Sequence, residues 1–444
     1  MFFLKKISLL VAFGIISSAL WAQNLTLSPY SRYGIGDIFL YNSTRNAGMG
    51  GIGVASASVF TANRLNPASY TDIRRTTLDI SGFAQFSHLR TKTDTATQNT
   101  VGFRDLSFIF PTNKRSVLAL GFAPYSAAGY TIQDNLNLYV DKDTIPAYVE
   151  YTANGGLNQA YIGYATSFLK RKQLRVGANA YYSFGSLNRE ATSVIGNLAS
   201  NLIKVKESAV LSGAGVHLGV QYRDTLFHRV QKNDSTPILY SVGLISDINF
   251  NLNATRNKFL SSVGVATSLA VVDTLQYQYK GKVALPNKYG IGFEISSPNH
   301  WAIGTDVIYQ NWKTFQFLDD TLGASNKIQI GNDFRWALGG EWTPKWDGDN
   351  YFQRVTYRTG AYYHHTYLAY DEKNINDLGL SLGVSLPMSR KKQTVSDFNT
   401  GRFNLAVELG QRGTLANHPM REMYSRIRFG ITINEIWFMR REVD

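Results

Sequence analysis

From residue 402 to residue 434 the chain alternates between apolar and polar residues with a period of two. Phe403, Leu405, Val407 and Leu409 form one apolar row, set against Arg402, Asn404, Ala406, Glu408, Gly410 and Arg412. Ile427, Phe429, Ile431 and Ile433 form the next, against Arg426, Arg428, Gly430, Thr432 and Asn434. Leu378, Leu380, Leu382, Val384 and Leu386 repeat the pattern, as do Tyr289, Ile291, Phe293 and Ile295. Successive side chains of a strand point to opposite faces, so each segment has one apolar face and one of glycine, small polar residues and charge. A soluble sandwich also alternates, but its apolar face meets a dry core. A second face rich in glycine, Arg and Glu suits the wet lumen of a membrane barrel, with the apolar face toward lipid. Trp301, Tyr309, Trp312, Trp336, Trp342, Tyr363 and Tyr424 flank such segments, as aromatic girdles at two interfaces would.

Composition points the same way. Charged residues are 17% of the 444, against roughly 25% in soluble proteins, and aromatics are 13%. The chain has no cysteine, which excludes a disulfide scaffold, a Cys-ligated metal or cluster, a Cys nucleophile and a lipoprotein anchor. The net charge of +13 comes without a basic, aromatic-interleaved module, so nucleic acid is not an expected partner. Attraction to anionic lipopolysaccharide and outer-membrane lipid is consistent with it.

Lys5 and Lys6 precede an apolar run over 7–16, and small residues lead to Ala22. This is the anatomy of a secretory signal and predicts a signal peptide over 1–22. No later stretch approaches 18 uninterrupted apolar residues, so strands rather than helices must cross the membrane.

Fifteen segments read as strands, from 76–87 to 424–433. Only Leu285-Pro286-Asn287 separates 274–284 from 286–296, too little for a turn. Bacterial single-chain barrels have even strand numbers, so the two merge into one long strand, bent at Pro286 or extended beyond the membrane. The expected fold is all-β: a 14-stranded antiparallel transmembrane β-barrel over 76–433, with a tail over 434–444. Connections then alternate between a mostly shorter set (such as 113–115, 170–173 and 297–299) and a longer one (such as 127–156, 251–273 and 310–333). Short turns face the periplasm in such barrels, which predicts a Gram-negative outer-membrane protein with both termini periplasmic. Residues 23–75 resemble neither a strand ladder nor an amphipathic helix and are glycine-rich. They are read as a hatch inside the lumen, with a flexible periplasmic tail as the alternative.

Motifs for chemistry are weak. Gly48-Met49-Gly50-Gly51-Ile52-Gly53 satisfies G-x-G-x-x-G, but Tyr41–Asn46 before it is no hydrophobic strand. Glycines that let a plug turn tightly against a wall are the expected reading. His364 and His365 are adjacent and would point to opposite faces of a strand, so they cannot pair as ligands. Ser167-Phe168-Leu169-Lys170 matches S-x-x-K, but at a strand end. The expectation is no enzyme, no cofactor and no metal. The inward charges are Glu294, Asp306, Arg335, Glu341, Arg358, Arg402, Glu408, Arg412, Arg426 and Arg428. Both signs are interspersed, which favours pairing that holds wall and plug together over a selective pore lining.

Asn46-Ala47-Gly48-Met49-Gly50-Gly51, followed by Asn66-Pro67-Ala68 just before the first strand, resembles the FadL-type family of outer-membrane transporters. Leu285-Pro286-Asn287-Lys288-Tyr289-Gly290-Ile291-Gly292 is similar to that family's L-P-x-x-Y-G-x-G, and the two-strand ending over 404–433 adds to the likeness. The opening Ser28-Pro29-Tyr30-Ser31-Arg32-Tyr33-Gly34 and the ending Asn434-Glu435-Ile436-Trp437-Phe438 depart from the pattern. The resemblance implies a fourteen-stranded barrel with a hatch and passive uptake of hydrophobic small molecules, such as fatty acids or aromatic hydrocarbons. Gly48, Gly50, Gly51, Gly53, Asn66, Pro67 and Ala68 are the expected hatch residues. Some relatives are accessory subunits that transport nothing known. The alternative is therefore a non-transporting barrel subunit of an outer-membrane secretion or assembly complex, with other outer-membrane proteins as partners.

Overall fold

The computed structural model describes residues 24–140, 143–195, 202–231, 234–263, 270–317, 328–389 and 401–435. The expected signal peptide and all but the first two residues of the expected tail lie outside the described residues.

Fourteen strands pair antiparallel in chain order and close into a barrel. They are β1 Thr76–Arg90, β2 Thr95–Pro111, β3 Ser116–Ala127, β4 Asp143–Phe168, β5 Leu174–Ile195, β6 Leu202–Gln231 and β7 Asp234–Asn249. Then come β8 Lys288–Ser297, β9 Trp301–Asn311, β10 Asn332–Trp342, β11 Thr356–Tyr370, β12 Lys373–Pro387, β13 Arg402–Arg412 and β14 Arg421–Glu435. Strand β14 pairs with β13 on one side and β1 on the other, from Thr76 opposite Glu435 to Arg90 opposite Arg421, which removes every free edge at membrane level.

The alternation decides which way each wall residue faces. On β12, Leu378, Leu380 and Leu382 are 58%, 63% and 66% exposed, while Ser381 between them is 2% exposed. Ile291 and Phe293, and Phe429, Ile431 and Ile433, stand outward in the same manner. This continuous outer band is the lipid face of an outer-membrane-type barrel. Tyr309, Trp336, Trp342 and Tyr363 are also exposed there. Trp312 and Tyr424, expected in the girdles, are buried inside instead. Trp312 sits in a tight turn, Trp312–Thr314, that folds inward and stacks on Tyr367 with ring centroids 4.4 Å apart.

The stretch expected as one strand over 274–296 is two strands, Ala270–Ala284 and Lys288–Ser297, with different partners on either side of residues 285–287. Leu252–Val263 pairs with β6 beyond the end of β7, and Ala270–Ala284 pairs with Leu252–Val263. Strand β8 then continues inside the barrel between β7 and β9. The break falls at Pro286, which has no N–H for the ladder. Its carbonyl accepts from the side chains of Asn249 and Gln310, each at 2.7 Å.

The long connections differ from the expected loops. Strands β4, β5 and β6 have 26, 22 and 30 residues, where about 9–11 suffice to span a bilayer. With Tyr130–Val140, Leu252–Val263 and Ala270–Ala284 they build a sheet that rises past the membrane on the long-connection side, while the end of β6 from Arg223 to Gln231 pairs with β7 at the other mouth.

Residues 24–75 lie inside the barrel. This described part runs from one mouth to the other. At the long-connection end, Ser28 Oγ donates to Glu422 at 2.6 Å and Tyr30 Oη to the Met420 carbonyl at 2.5 Å. The segment leaves at the short-turn end, where Thr76 meets Glu435. The first described residues and the C-terminal strand end are thus at opposite mouths.

Candidate functional site

The site is the contact between this inner segment and the wall. Ser43 caps a single helical turn, Thr44–Ala47, its hydroxyl accepting from Asn46 N. The Asn46 carbonyl then accepts from Met49 N at 2.9 Å and Gly51 N at 2.8 Å. Gly50 and Gly51 have φ of 66° and 82°, which only glycine adopts without strain, and the chain reverses there. The reversal aims its backbone at the wall. Gly50 N donates to Ser381 Oγ at 2.7 Å, and Arg335 donates to the Gly50 carbonyl at 2.5 Å. Gly53 N and Val54 N both donate to one carboxylate oxygen of Asp306, at 2.6 and 2.8 Å. The N–H groups that a phosphate would take in a nucleotide loop are here occupied by a wall carboxylate.

The wall answers with glycines of its own. A Cβ at Gly339 would overlap the Met49 carbonyl, and one at Gly360 would overlap Gly50 N. A Cβ at Gly243 or Gly292 would run into Val54, at Gly219 into Asn66, and at Gly177 into Pro67 and Ala68. Backbone therefore lies directly on backbone around much of the lumen. This accounts for the glycine-rich second face of the strands.

Asn66, Pro67 and Ala68 make the corner where the segment turns toward β1. Asn66 Oδ1 accepts from Ala68 N at 3.0 Å. Asn66 Nδ2 donates to the Val54 carbonyl at 2.6 Å and to Val220 of the wall at 3.2 Å. Pro67 opens the short 3-10 helix Pro67–Asp72, and Ala68 is fully buried. The helix ends at Asp72, which is clamped by Arg175 and Arg223 at 2.8 Å each. Burial raises the Asp72 pKa, but the two guanidinium groups outweigh it and hold the carboxyl below its ordinary range.

The inward charges fall into two groups, one toward each mouth. Glu294, Glu341, Arg358 and Arg402 line a cavity of about 160 Å³ on the short-turn side, with Arg45 and Arg223. Glu341 takes Arg45 in a bidentate fork, at 2.6 and 3.1 Å, and Arg358 at 3.0 Å. Arg45 is 3% and Glu341 19% exposed, so the pair is largely shielded from water. Arg402 stacks over Phe60, 4.0 Å from its centroid. Arg335, Glu408, Arg412, Arg426 and Arg428 line a second cavity of about 130 Å³. Glu408 holds Arg426 at 2.8 Å and Arg428 at 3.2 Å, while Arg428 reaches Asn42 of the inner segment at 2.7 Å. Arg412 pairs with Asp37 at 2.8 Å.

One cluster carried no signal in the sequence. Asp247 accepts from Lys288 at 2.9 Å and contacts His217, whose other ring nitrogen meets the Leu65 carbonyl at 2.9 Å. Lys288 Nζ also lies 4.3 Å from the Tyr41 ring centroid. Beside it an apolar cluster packs between the inner segment and the wall. Tyr30, Ile35 and Tyr41 of the inner segment pack with Tyr125, Trp312 and Tyr367.

A model of the BamG family matches residues 3–444. The chain belongs to the BamG family. No curated protein matches the sequence. Among solved structures, this BamG-family chain is similar to the toluene transporter TodX of P. putida, with a TM-score of 0.55 at 13% identity over 90% of this chain and 100% of that one. It is similar to the toluene transporter TbuX of Ralstonia pickettii, with a TM-score of 0.54 at 12% identity over 89% and 99%. A Pseudomonas aeruginosa FadL homologue gives 0.50 at 9% identity over 89% and 99%. At such identities the likeness is one of fold: the BamG-family chain has the FadL-type barrel.

Proposed function

We propose that this chain works in the outer membrane as a plugged barrel that acts through its surfaces, as a subunit of an assembly or secretion complex. The state of the interior carries the reading. Toward the long-connection mouth it is packed with apolar side chains, and two cavities beside the inner segment set charged side chains, Glu341 and Arg358 in one and Glu408 and Arg426 in the other, among apolar ones. A hydrocarbon entering either cavity would cover charged groups without giving them a hydrogen-bond partner. Ion pairs bind the inner segment to β10 and β13, and a hydrogen bond from Arg428 to Asn42 binds it to β14, so moving it would leave buried charges without partners. A protein put to work as a scaffold benefits from such rigidity.

The test is uptake by proteoliposomes of the full chain. The expected result is no ion conductance above background and no accelerated entry of toluene or oleate. Removal of residues 23–75 from a chain that still folds should open the barrel to small hydrophilic solutes. Accelerated toluene or oleate entry through the intact chain would overturn the reading.

A second reading, passive transport of hydrophobic small molecules, is supported by the shared fold with the toluene transporters. In that case Gly50 and Gly51 are the hinge, and Asn66-Pro67-Ala68 the fixed corner about which the hatch shifts. Asn66→Leu or Pro67→Gly would then alter uptake while heat-resistant assembly persists.

A further inference from the structure

The short-turn end of the barrel carries a charged surface whose exposed cations, Lys114, Arg115, Lys170 and Arg171, lie in turns of the wall. Two neighbouring turns form it, residues 112–115 between β2 and β3 and residues 169–173 between β4 and β5. Asn113 Oδ1 accepts from Arg115 N at 2.7 Å and Ser116 N at 2.8 Å, which fixes the first turn. In the second, Leu169 and Lys172 stand in the left-handed region at φ 67° and 58°. Neither is glycine, so that conformation has a cost and the surroundings must hold it. They do: Lys172 N donates to the Leu169 carbonyl at 3.2 Å, and Lys172 Nζ donates to the carbonyl of Lys114 in the first turn. Ser167 N donates to the Arg115 carbonyl at 3.0 Å. The two turns are one rigid unit.

Between this unit and the end of the inner segment lies a cavity of about 630 Å³. Its charged lining is Arg74, Lys114, Arg115, Arg171, Lys172 and Arg175, with a single acid, Asp72. Asp72 is already engaged by Arg175 and Arg223. Lys170 adds a further exposed cation beside it. Burial and the positive charges of Arg74, Arg115 and Arg175 push the Lys172 ammonium below its ordinary range, as expected where cations crowd without enough anions.

The chemistry of the adjoining wall says which anion belongs there. The residues just before the cations are Phe168 and Leu169, 48% and 52% exposed. Leu118, Ile162, Tyr164 and Val176 extend the same lipid-facing patch over β3, β4 and β5. The cavity opens on the inner side of the wall, beside Val117, Ser167 and Arg175, whereas the outward apolar stripe ends at the exposed cations of the two turns, Lys114, Arg115, Lys170 and Arg171. A free phosphate would meet the cations and leave the stripe unused, and an acidic protein segment would do the same.

We propose that the turns 112–115 and 169–173 bind the phosphate of an anionic phospholipid in the leaflet on the short-turn side, its acyl chains lying along the stripe that ends at Phe168 and Leu169. The site is independent of whether the barrel conducts, so it stands or falls separately from the plugged-barrel reading.

The test uses the full chain in mixed micelles, with phosphatidylglycerol and phosphatidylcholine of matched chains, read by native mass spectrometry. Wild type should retain phosphatidylglycerol in preference. K114E/R115E/K170E/R171E should bring the two lipids to parity, with about a fivefold drop for each of the first charges lost. K280E/K282E, at the opposite end of the molecule, should keep the preference. Parity in wild type would overturn the proposal, as would an undiminished preference in the quadruple variant. So would displacement of the lipid by inorganic phosphate or by polyglutamate at low millimolar concentration, or stronger retention of lipid A than of phosphatidylglycerol. If the quadruple variant does not fold, Lys170→Gln and Arg171→Gln each give the reading, and an unchanged preference in both sinks it.

Discussion

The two faces of a single strand are under different constraints. On β12, Leu378, Leu380 and Leu382 meet only lipid, and any apolar side chain would serve there. Between them, Gly379 faces the Tyr362 ring, Ser381 accepts from Gly50 N, and Gly383 lies against Gly48. The outer face is specified by residue class and the inner face by residue identity. Lipid is a fluid that fills whatever space is left, whereas the inner segment is a solid surface with fixed donors and acceptors.

The difference should be largest at Glu341. Glu341→Gln would leave Arg45 and Arg358 facing a neutral amide in a nearly closed space, at a cost of about 3–5 kcal/mol. Urea-dependent refolding into lipid vesicles measures it. A loss no greater than that of Leu382→Ala would show that the inner face is as tolerant as the outer.

Next comes a pair on β14. Ile431→Arg puts a charge into lipid and should cost about 2–4 kcal/mol near mid-membrane. Arg428→Gln should cost about 1 kcal/mol, because Glu408 still holds Arg426 at 2.8 Å and accepts from Tyr362 at 2.9 Å. Equal losses in the same refolding assay would mean that the strand faces have been exchanged.

Gly339→Ala and Gly360→Ala test backbone on backbone. Each added methyl would overlap a main-chain atom of Met49 or Gly50, and the expected loss is about 1–3 kcal/mol for each. Gly340→Ala is the control, since its nearest contacts lie toward β9 and not the inner segment. Heat-resistance midpoints of the three variants should separate the first two from the third.

How much of this was legible in the sequence follows from the same contrast. Lipid-facing rows repeat every second residue whatever their partners, so the barrel could be read from period, and its strand count from period together with the even number that closure of such barrels favours. The overhanging parts of β4 to β6 lack a regular apolar row, and runs such as Lys204 to Lys206 read as loop. Inner charges could be named as a set, because they interrupt apolar rows. Their pairings could not, because partners lie far apart in the chain: Arg45 and Glu341 are separated by 296 residues. His217, Asp247 and Lys288 sit on three different strands with no motif between them. An aromatic at a strand end points equally well in either direction, which is how Trp312 and Tyr424 were misassigned.

The smallest expected effect lies where the inner segment meets water at the short-turn mouth. Asp72 is held ionised by Arg223 and Arg175 against the effect of burial, so its folded pKa is below the ordinary value of 3.8. A depressed carboxylate pKa contributes stability that is present above the unfolded pKa and lost as pH falls through the folded one. The corner at Pro67–Asp72 should therefore be indifferent to pH from 7 to 5 and loosen below about pH 4. Other buried carboxylates titrate in the same range, so the difference between wild type and Asp72→Asn isolates this one. Asp72→Asn should be less stable at pH 7, and the gap should close as pH falls below that of the unfolded carboxyl. A gap that persists at pH 2 would assign the contribution of Asp72 to geometry and not to charge, and would make the inner rim no more electrostatic than the lipid face it adjoins.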